Sequence, residues 1–367
     1  MGELLDQFEC VRIVRMNGID LNLFQFDYDQ TWAVLFFRHD GTLLARYGTR
    51  DDANGMKYNS PEGFSAAMRR VLNVDRNWKP EWQPHYVAKL GPPSPHATAD
   101  EIPSKTIDNI RQRGNAGDSR KSCIHCHNVY DAKRDLAISL GDYDPAKRYK
   151  YPLPERIGLV MDDAGRIEQV LPDSPAAKQD LKAGDRVHRI NGQNIHSIAD
   201  VQFALHHVAE PGSIEIETYA ADQVALDLSR DQLQRVTLTL PEGWRKSDNS
   251  WRVSMYGMPP SPGLWIQALT DEEKSDAGIA TDKLAMKVRG LFGADVRRSG
   301  LKKDDLIVKF GDDSSHHTPG EFHARLRMGY YRPNSKLPLR IVRDGKPMDI
   351  TVTFVNDDVA KGMQQAN

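Results

Sequence analysis

A chain of 367 residues has room for about two to four domains at roughly 100–200 residues each. Hydrophobic residues make up 39% and charged residues 27%, with a formal net charge of −2, a globular balance that argues against a non-specific nucleic-acid binder. No run approaches the ~18 apolar residues of a membrane span, and the polar start "MGELLDQFEC" is not a signal peptide.

In chain order, "CVRIVRM" at 10–16 reads as a strand, with Cys10 a buried core thiol. "TWAVLFFRHDGTLLARYG" reads as two strands joined by Asp40-Gly41, a strong hairpin signal. "SPEGFSAAMRRVL" reads as a helix: Ser60 caps it, Pro61 takes the first turn, and Phe64, Met68, Val71 and Leu72 share a face. Residues 76–122, rich in Pro, Gly and polar side chains, read as a linker with one short helix near 105–112. "SRKSCIHCHNVYDAKRD" follows, and a helix "VYDAKRDLAISLG" stops at Gly141.

A second globular region begins near residue 155: short strands, a tight turn at Lys182–Asp185, the strand "RVHRI" and a helix started near Ser197. It recurs about 120 residues later. Leu181, Lys182 and Asp185 return as Leu301, Lys302 and Asp305, and "ADVQFALHH" returns as "GEFHARLRM". The adjacent pairs His206-His207 and His316-His317 diverge by about 100° on a helix and read as surface residues.

The repeats resemble bacterial PDZ domains, on "IGLV", "SPAAKQDLKAGDRVHRINGQ" and "IADVQFALHH" in the first, and on "GLWI", "RSGLKKDDLIVKFGDD" and "TPGEFHARL" in the second. The second carries the insert "LTDEEKSDAGIATDKL", and it has Asp304-Asp305 where the pattern has Gly-Asp. The resemblance implies that protein C-termini or extended peptides add as a strand, their carboxylate held by backbone N–H groups. In the first copy these would be Ile157, Gly158 and Leu159, with Val160 on the strand and Val201 and Leu205 lining the groove. In the second they would be Gly263, Leu264 and Trp265, with Phe322 and Leu326 on the helix. Residues 10–72 resemble the later half of a thioredoxin fold, without a C-x-x-C ahead of that segment. The expected architecture is multidomain α+β: a degenerate thioredoxin-like α/β domain (1–80), a CxxCH-bearing linker (81–154), two β-rich PDZ-like domains (155–243 and 244–357) and a tail (358–367).

Cys123, Cys126 and His127 form the C-x-x-C-H signature of c-type haem: two thiols for the vinyl groups and an imidazole for iron. Met161, His85, His96 and Met258 are candidates for the sixth ligand. The alternative is a haem-free site. It could be a redox pair whose thiol pKa is lowered by Lys121 and Arg120, or zinc on Cys123, Cys126 and His127 with a distant fourth ligand. PDZ pairs accompany serine proteases of the high-temperature-requirement type, but no G-x-S-x-G or related nucleophile motif is visible, so a hydrolase is not expected. The sequence reading is thus a non-hydrolytic PDZ protein carrying haem for electron transfer or sensing. The alternative is a haem-free PDZ scaffold. Haem attachment would place it outside the cytoplasm; without haem, a cytoplasmic location is the alternative.

Overall fold

The structure is a computed structural model and describes residues 1–50, 54–79, 86–115, 119–163, 165–220 and 233–356. It divides into two compact units. The first comprises Met1–Ile102, Asn109–Val129 and Ala146–Ser247; the second comprises Pro103–Asp108, Tyr130–Pro145 and Asp248–Asn367. The N-terminal region and the first repeat share the first unit.

After a short helix α1 (Gly2–Leu5), strands β1 (Val34–Phe37) and β2 (Leu43–Tyr47) form the expected antiparallel hairpin. The turn closes because Gly41 takes φ 84° and the Thr42 N–H donates to Asp40 Oδ1 at 2.9 Å. Helix α2 (Pro61–Arg76) starts on Ser60, whose Oγ accepts the Gly63 N–H at 2.9 Å. It buries Ala67, Met68, Val71 and Val74 against Phe36, Leu44 and Tyr47. Val74 takes the deeply buried place expected for Leu72, which is half-buried.

The expected strand at 10–16 is absent from the ladders. Val11 and Val14 are 80% and 69% exposed, and Cys10 is exposed rather than in a core. β-branched residues favour a strand only where an edge is there to pair with, and among the described residues this N-terminal sheet has two strands. The Met16 N–H bonds instead to the Ile124 carbonyl at 2.8 Å. Among the described residues the N-terminal sheet goes no wider than the hairpin.

Helices α3 (Lys105–Asn115) and α4 (Cys126–Ser139) follow; α4 begins at the second cysteine, and Gly141 beyond it takes φ 71°. The first repeat contains β3 (Leu159–Met161), β4 (Ile167–Val170), β5 (Arg186–Ile190), β6 (Gln193–Asn194), α5 (Ile198–His206), β7 (Gly212–Tyr219) and β8 (Gln234–Leu240). β3 pairs with β4, and the other strands run in the order β6-β5-β7-β8. Ser197 caps α5, its Oγ accepting the Ala199 N–H at 3.1 Å. Ile157, Leu159, Ile167, Ile190, Val201, Leu205 and Ile216 form a contiguous core.

The second repeat follows α6 (Val253–Tyr256) and contains β9 (Leu264–Ala268), α7 (Asp271–Asp276), β10 (Met286–Leu291), α8 (Ala294–Arg298), β11 (Leu306–Phe310), α9 (Pro319–Gly329), β12 (Ser335–Arg343) and β13 (Lys346–Phe354). Its sheet order is β13-β12-β11-β10-β9. The insert folds onto the fully buried Lys274, whose Nζ donates to the Thr281 carbonyl at 2.6 Å. His317, expected at the surface, is 5% exposed and lies 2.9 Å from Asp313 Oδ2, because it faces Phe310 in the core.

Candidate peptide-binding site

In the first repeat β3 and α5 pack into one core, Leu159 and Met161 sharing a buried cluster with Val201 and Leu205. β3 pairs with β4 on one edge, and among the described residues its other edge carries no strand. A peptide added there would be recognised by main-chain hydrogen bonds. The loop before β3 is a 3-10 turn, Pro154–Ile157, ended by Gly158 at φ 93°. A Cβ on Gly158 would lie 1.9 Å from Ser174 Oγ, so only glycine fits.

The structure places most of the expected binding residues in the interior. The Gly158 N–H donates to the Glu155 carbonyl at 3.1 Å and so is spent inside the turn. Ile157, Leu159, Val201 and Leu205 are all 0% exposed, and Val160 is half-buried. Val201 and Leu205 belong to the same buried cluster as Ile157, Leu159 and Tyr58. Ala199 and Gln202, with Arg46, Tyr47 and Tyr151, line a small recess, and Gln202 is itself buried, its amide bonded to Thr49 Oγ1 and to the Tyr151 carbonyl.

The N-terminal hairpin reaches α5 through a buried pair. Arg46 Nη1 lies 3.8 Å from Asp200 Oδ1, with the two side chains 2% and 0% exposed. The guanidinium stacks 3.5 Å from the Phe203 ring centroid and donates to the Gln25 and Lys89 carbonyls at 2.7 and 2.9 Å. Burial pushes the Asp200 carboxyl up to about 7, against the pull of Arg46 and the Arg46 and His196 N–H groups. Burial, with Arg70 and His188 nearby, drives His196 down to about 3. The sequence carried no signal for this contact: Arg46 is the charged residue of β2, and an arginine in a strand reads as solvent-facing.

In the second repeat β9 also has a free edge among the described residues. Gly263 takes φ 56°, and a Cβ there would lie 2.2 Å from the Gly293 nitrogen. Leu264, Phe322 and Leu326 are core residues at 7%, 0% and 0% exposure, whereas Trp265 is 59% exposed.

In the CIHCH stretch Cys123 and Cys126 are free and half-buried. Ile124 between them is 2% exposed, its N–H bonded to Asn17 Oδ1 at 3.0 Å. The stretch thus anchors the start of α4 to residues 16–17. Burial raises the Cys126 pKa, the reverse of the activation expected from its basic neighbours. The His125 and His127 rings are parallel with centroids 6.1 Å apart. Among the described residues no three His, Cys, Asp or Glu side chains gather as a metal-ligand set. Met161 and Met258 are each 2% exposed inside cores, and His85 lies outside the described residues.

The PDZ domain family model matches residues 166–218. A probable periplasmic serine endoprotease DegP-like of Marinomonas sp. (strain MWYL1) is 24% identical over 208 residues, 54% of this chain and 39% of the relative. The periplasmic pH-dependent serine endoprotease DegQ of Escherichia coli (strain K12) is 27% identical over 192 residues, 49% of this chain and 37% of the relative. The chain therefore spans about two-fifths of the length of these curated relatives. Among solved structures, an HtrA-type protease AlgW with decapeptide aligns at 16% identity and TM-score 0.22, covering 46% of this chain and 52% of that one.

These relatives overturn the reading of a non-hydrolytic haem protein, and likewise the expectation that a hydrolase is excluded: they are serine endoproteases. Neither the thioredoxin resemblance nor the CxxCH haem reading finds support in them. No helix among the described residues is long and apolar enough to cross a membrane. The family match, together with the strand and helix arrangement around it, identifies residues 166–218 as a PDZ domain.

Proposed function

We propose that this chain selects peptides for proteolysis outside the cytoplasm, as the peptide-recognising part of a serine endoprotease system of the DegP type. The observation that carries this is the PDZ match at residues 166–218 beside a β3 strand whose second ladder edge is open. An extended peptide fits that edge by β-strand addition, with α5 as the opposite wall. Support for the proteolytic setting and for the periplasm comes from the relatives, whose names carry both.

The test has two arms on the full chain. Fluorescent peptides ending in apolar residues are titrated as free acids and as C-terminal amides, and an unfolded protein is incubated with the chain with and without a serine-protease inhibitor. Binding of free acids at least tenfold tighter than amides is the expected result, and inhibitor-sensitive cleavage would add a catalytic role to recognition. No binding of either peptide form would end the peptide-selection reading. Binding without cleavage would confine the chain to recognition.

A further inference from the structure

Residues 46–50 and 54–63 contact both α5 and the two flanks of β3. On the α5 wall, the Arg46 N–H donates to Asp200 Oδ1 at 3.1 Å, Ser197 Oγ donates to the Arg46 carbonyl at 2.5 Å, and Thr49 Oγ1 bonds Gln202 Oε1. On the β3 wall, Tyr58 OH donates to Glu155 Oε1 at 2.7 Å, with Lys57 Nζ 2.9 Å from the same oxygen. Ser60 Oγ bonds Asp163 Oδ2. Glu155 precedes β3 and Asp163 follows it, so these contacts bracket the strand.

Tyr58 itself is 2% exposed and belongs to the same apolar cluster as Ile157, Leu159, Val201 and Leu205. That explains why groove positions expected to meet a ligand are closed to solvent. The stretch does not pair as a strand: among the described residues no backbone hydrogen bond joins 54–63 to β3. Among the described residues the ladder groups of the β3 edge are thus left for another chain, and the contacts named above must break to uncover them.

We propose that residues 46–50 and 54–63 are an internal cap on the groove between β3 and α5, with Tyr58 standing where a ligand side chain would sit, so that peptide binding requires Tyr58 to leave. This rests on the peptide-selecting reading above. A site open for only a fraction of the time binds with its affinity reduced by that fraction. Removing the cap side chain restores it.

The test is peptide titration of the full chain and of Tyr58→Ala, with circular dichroism melts to confirm folding. The cap predicts at least tenfold tighter binding by Tyr58→Ala. Equal affinity would overturn the cap and leave peptide selection standing. No binding by either protein would remove peptide selection itself, and the cap with it. Should Tyr58→Ala fail to fold, Glu155→Gln weakens the acceptor of both Lys57 and Tyr58 without opening a cavity, and binding should tighten about threefold or more; no change overturns the cap. Hydrogen exchange on the unaltered chain gives an independent readout. Peptide should protect the amides of 159–161 and expose those of 54–60. Protection of both segments would show that peptide binds with the cap in place.

Discussion

Gly184 and Asp304 hold the same place in the two repeats, at φ 96° and 70°. Each precedes an aspartate whose carboxylate accepts a lysine N–H: Lys182 to Asp185 at 3.0 Å, and Lys302 to Asp305 at 2.7 Å. The turn needs a left-handed residue, and the second copy tolerates an aspartate there. A Cβ on Gly184 would meet nothing within 4 Å, so Gly184→Ala isolates the backbone term and should cost about 1–2 kcal/mol. Asp304→Gly should stabilise the second unit by up to about 1 kcal/mol, since its exposed contacts with Lys287 and Arg289 contribute little. Urea midpoints of the two variants check this, and a loss of stability in Asp304→Gly would refute it.

The loop ahead of β3 depends on Gly158. Ser174 cannot step aside for a new Cβ, because its Oγ donates to the Leu171 carbonyl at 2.6 Å and accepts the Ala177 N–H at 3.1 Å. Gly158→Ala should cost about 3 kcal/mol or more, combining overpacking with left-handed strain. Adding Ser174→Gly should recover the steric part alone, which denaturant unfolding of the double variant can measure.

Asp200 and His196 titrate against each other. Asp200 is raised to about 7, so between about pH 7 and 4 the folded chain holds a proton that the unfolded chain releases, and acidification favours the fold. His196 is lowered to about 3, so below about 6.5 the unfolded chain takes a proton that the folded chain refuses, and acidification opposes the fold. Each slope is about 1.4 kcal/mol per pH unit, and from about 6.5 to 4 they cancel. Asp200→Asn should therefore lose stability on acidification relative to the parent, and His196→Gln should gain it. Urea midpoints between pH 4 and 7 report the slopes, and parallel curves for all three proteins would contradict the assignment.

The thiols should react in order of exposure. Cys10 is exposed, whereas Cys126 is half-buried with its pKa raised by burial. Because the thiolate is the nucleophile, iodoacetamide at pH 8 should label Cys10 roughly tenfold faster than Cys126. Peptide mass mapping over time decides it; equal rates would mean that Cys126 is open to solvent.

Local order was legible wherever a short-range rule sufficed. Asp40-Gly41 closed its hairpin, Ser60 and Ser197 capped their helices, and the repeated Lys–Asp turn appeared in both copies. The run at 10–16 was misread because β-propensity says nothing about whether an edge is available. Val201 and Leu205 were expected in the groove from family pattern; they lie in a buried cluster that Tyr58, distant in sequence, also joins.

By itself the sequence determined the turns, the caps, the two-fold repeat and the PDZ pattern, since these depend on residues a few positions apart and on backbone chemistry. Only the tertiary structure decided that Arg46 lies beside Asp200 and that Tyr58 closes on Glu155, contacts spanning 154 and 97 positions. Arginine in a strand and tyrosine in a polar loop look solvent-facing in sequence. Their burial depends on which surface the fold brings against them, and no local pattern encodes that surface.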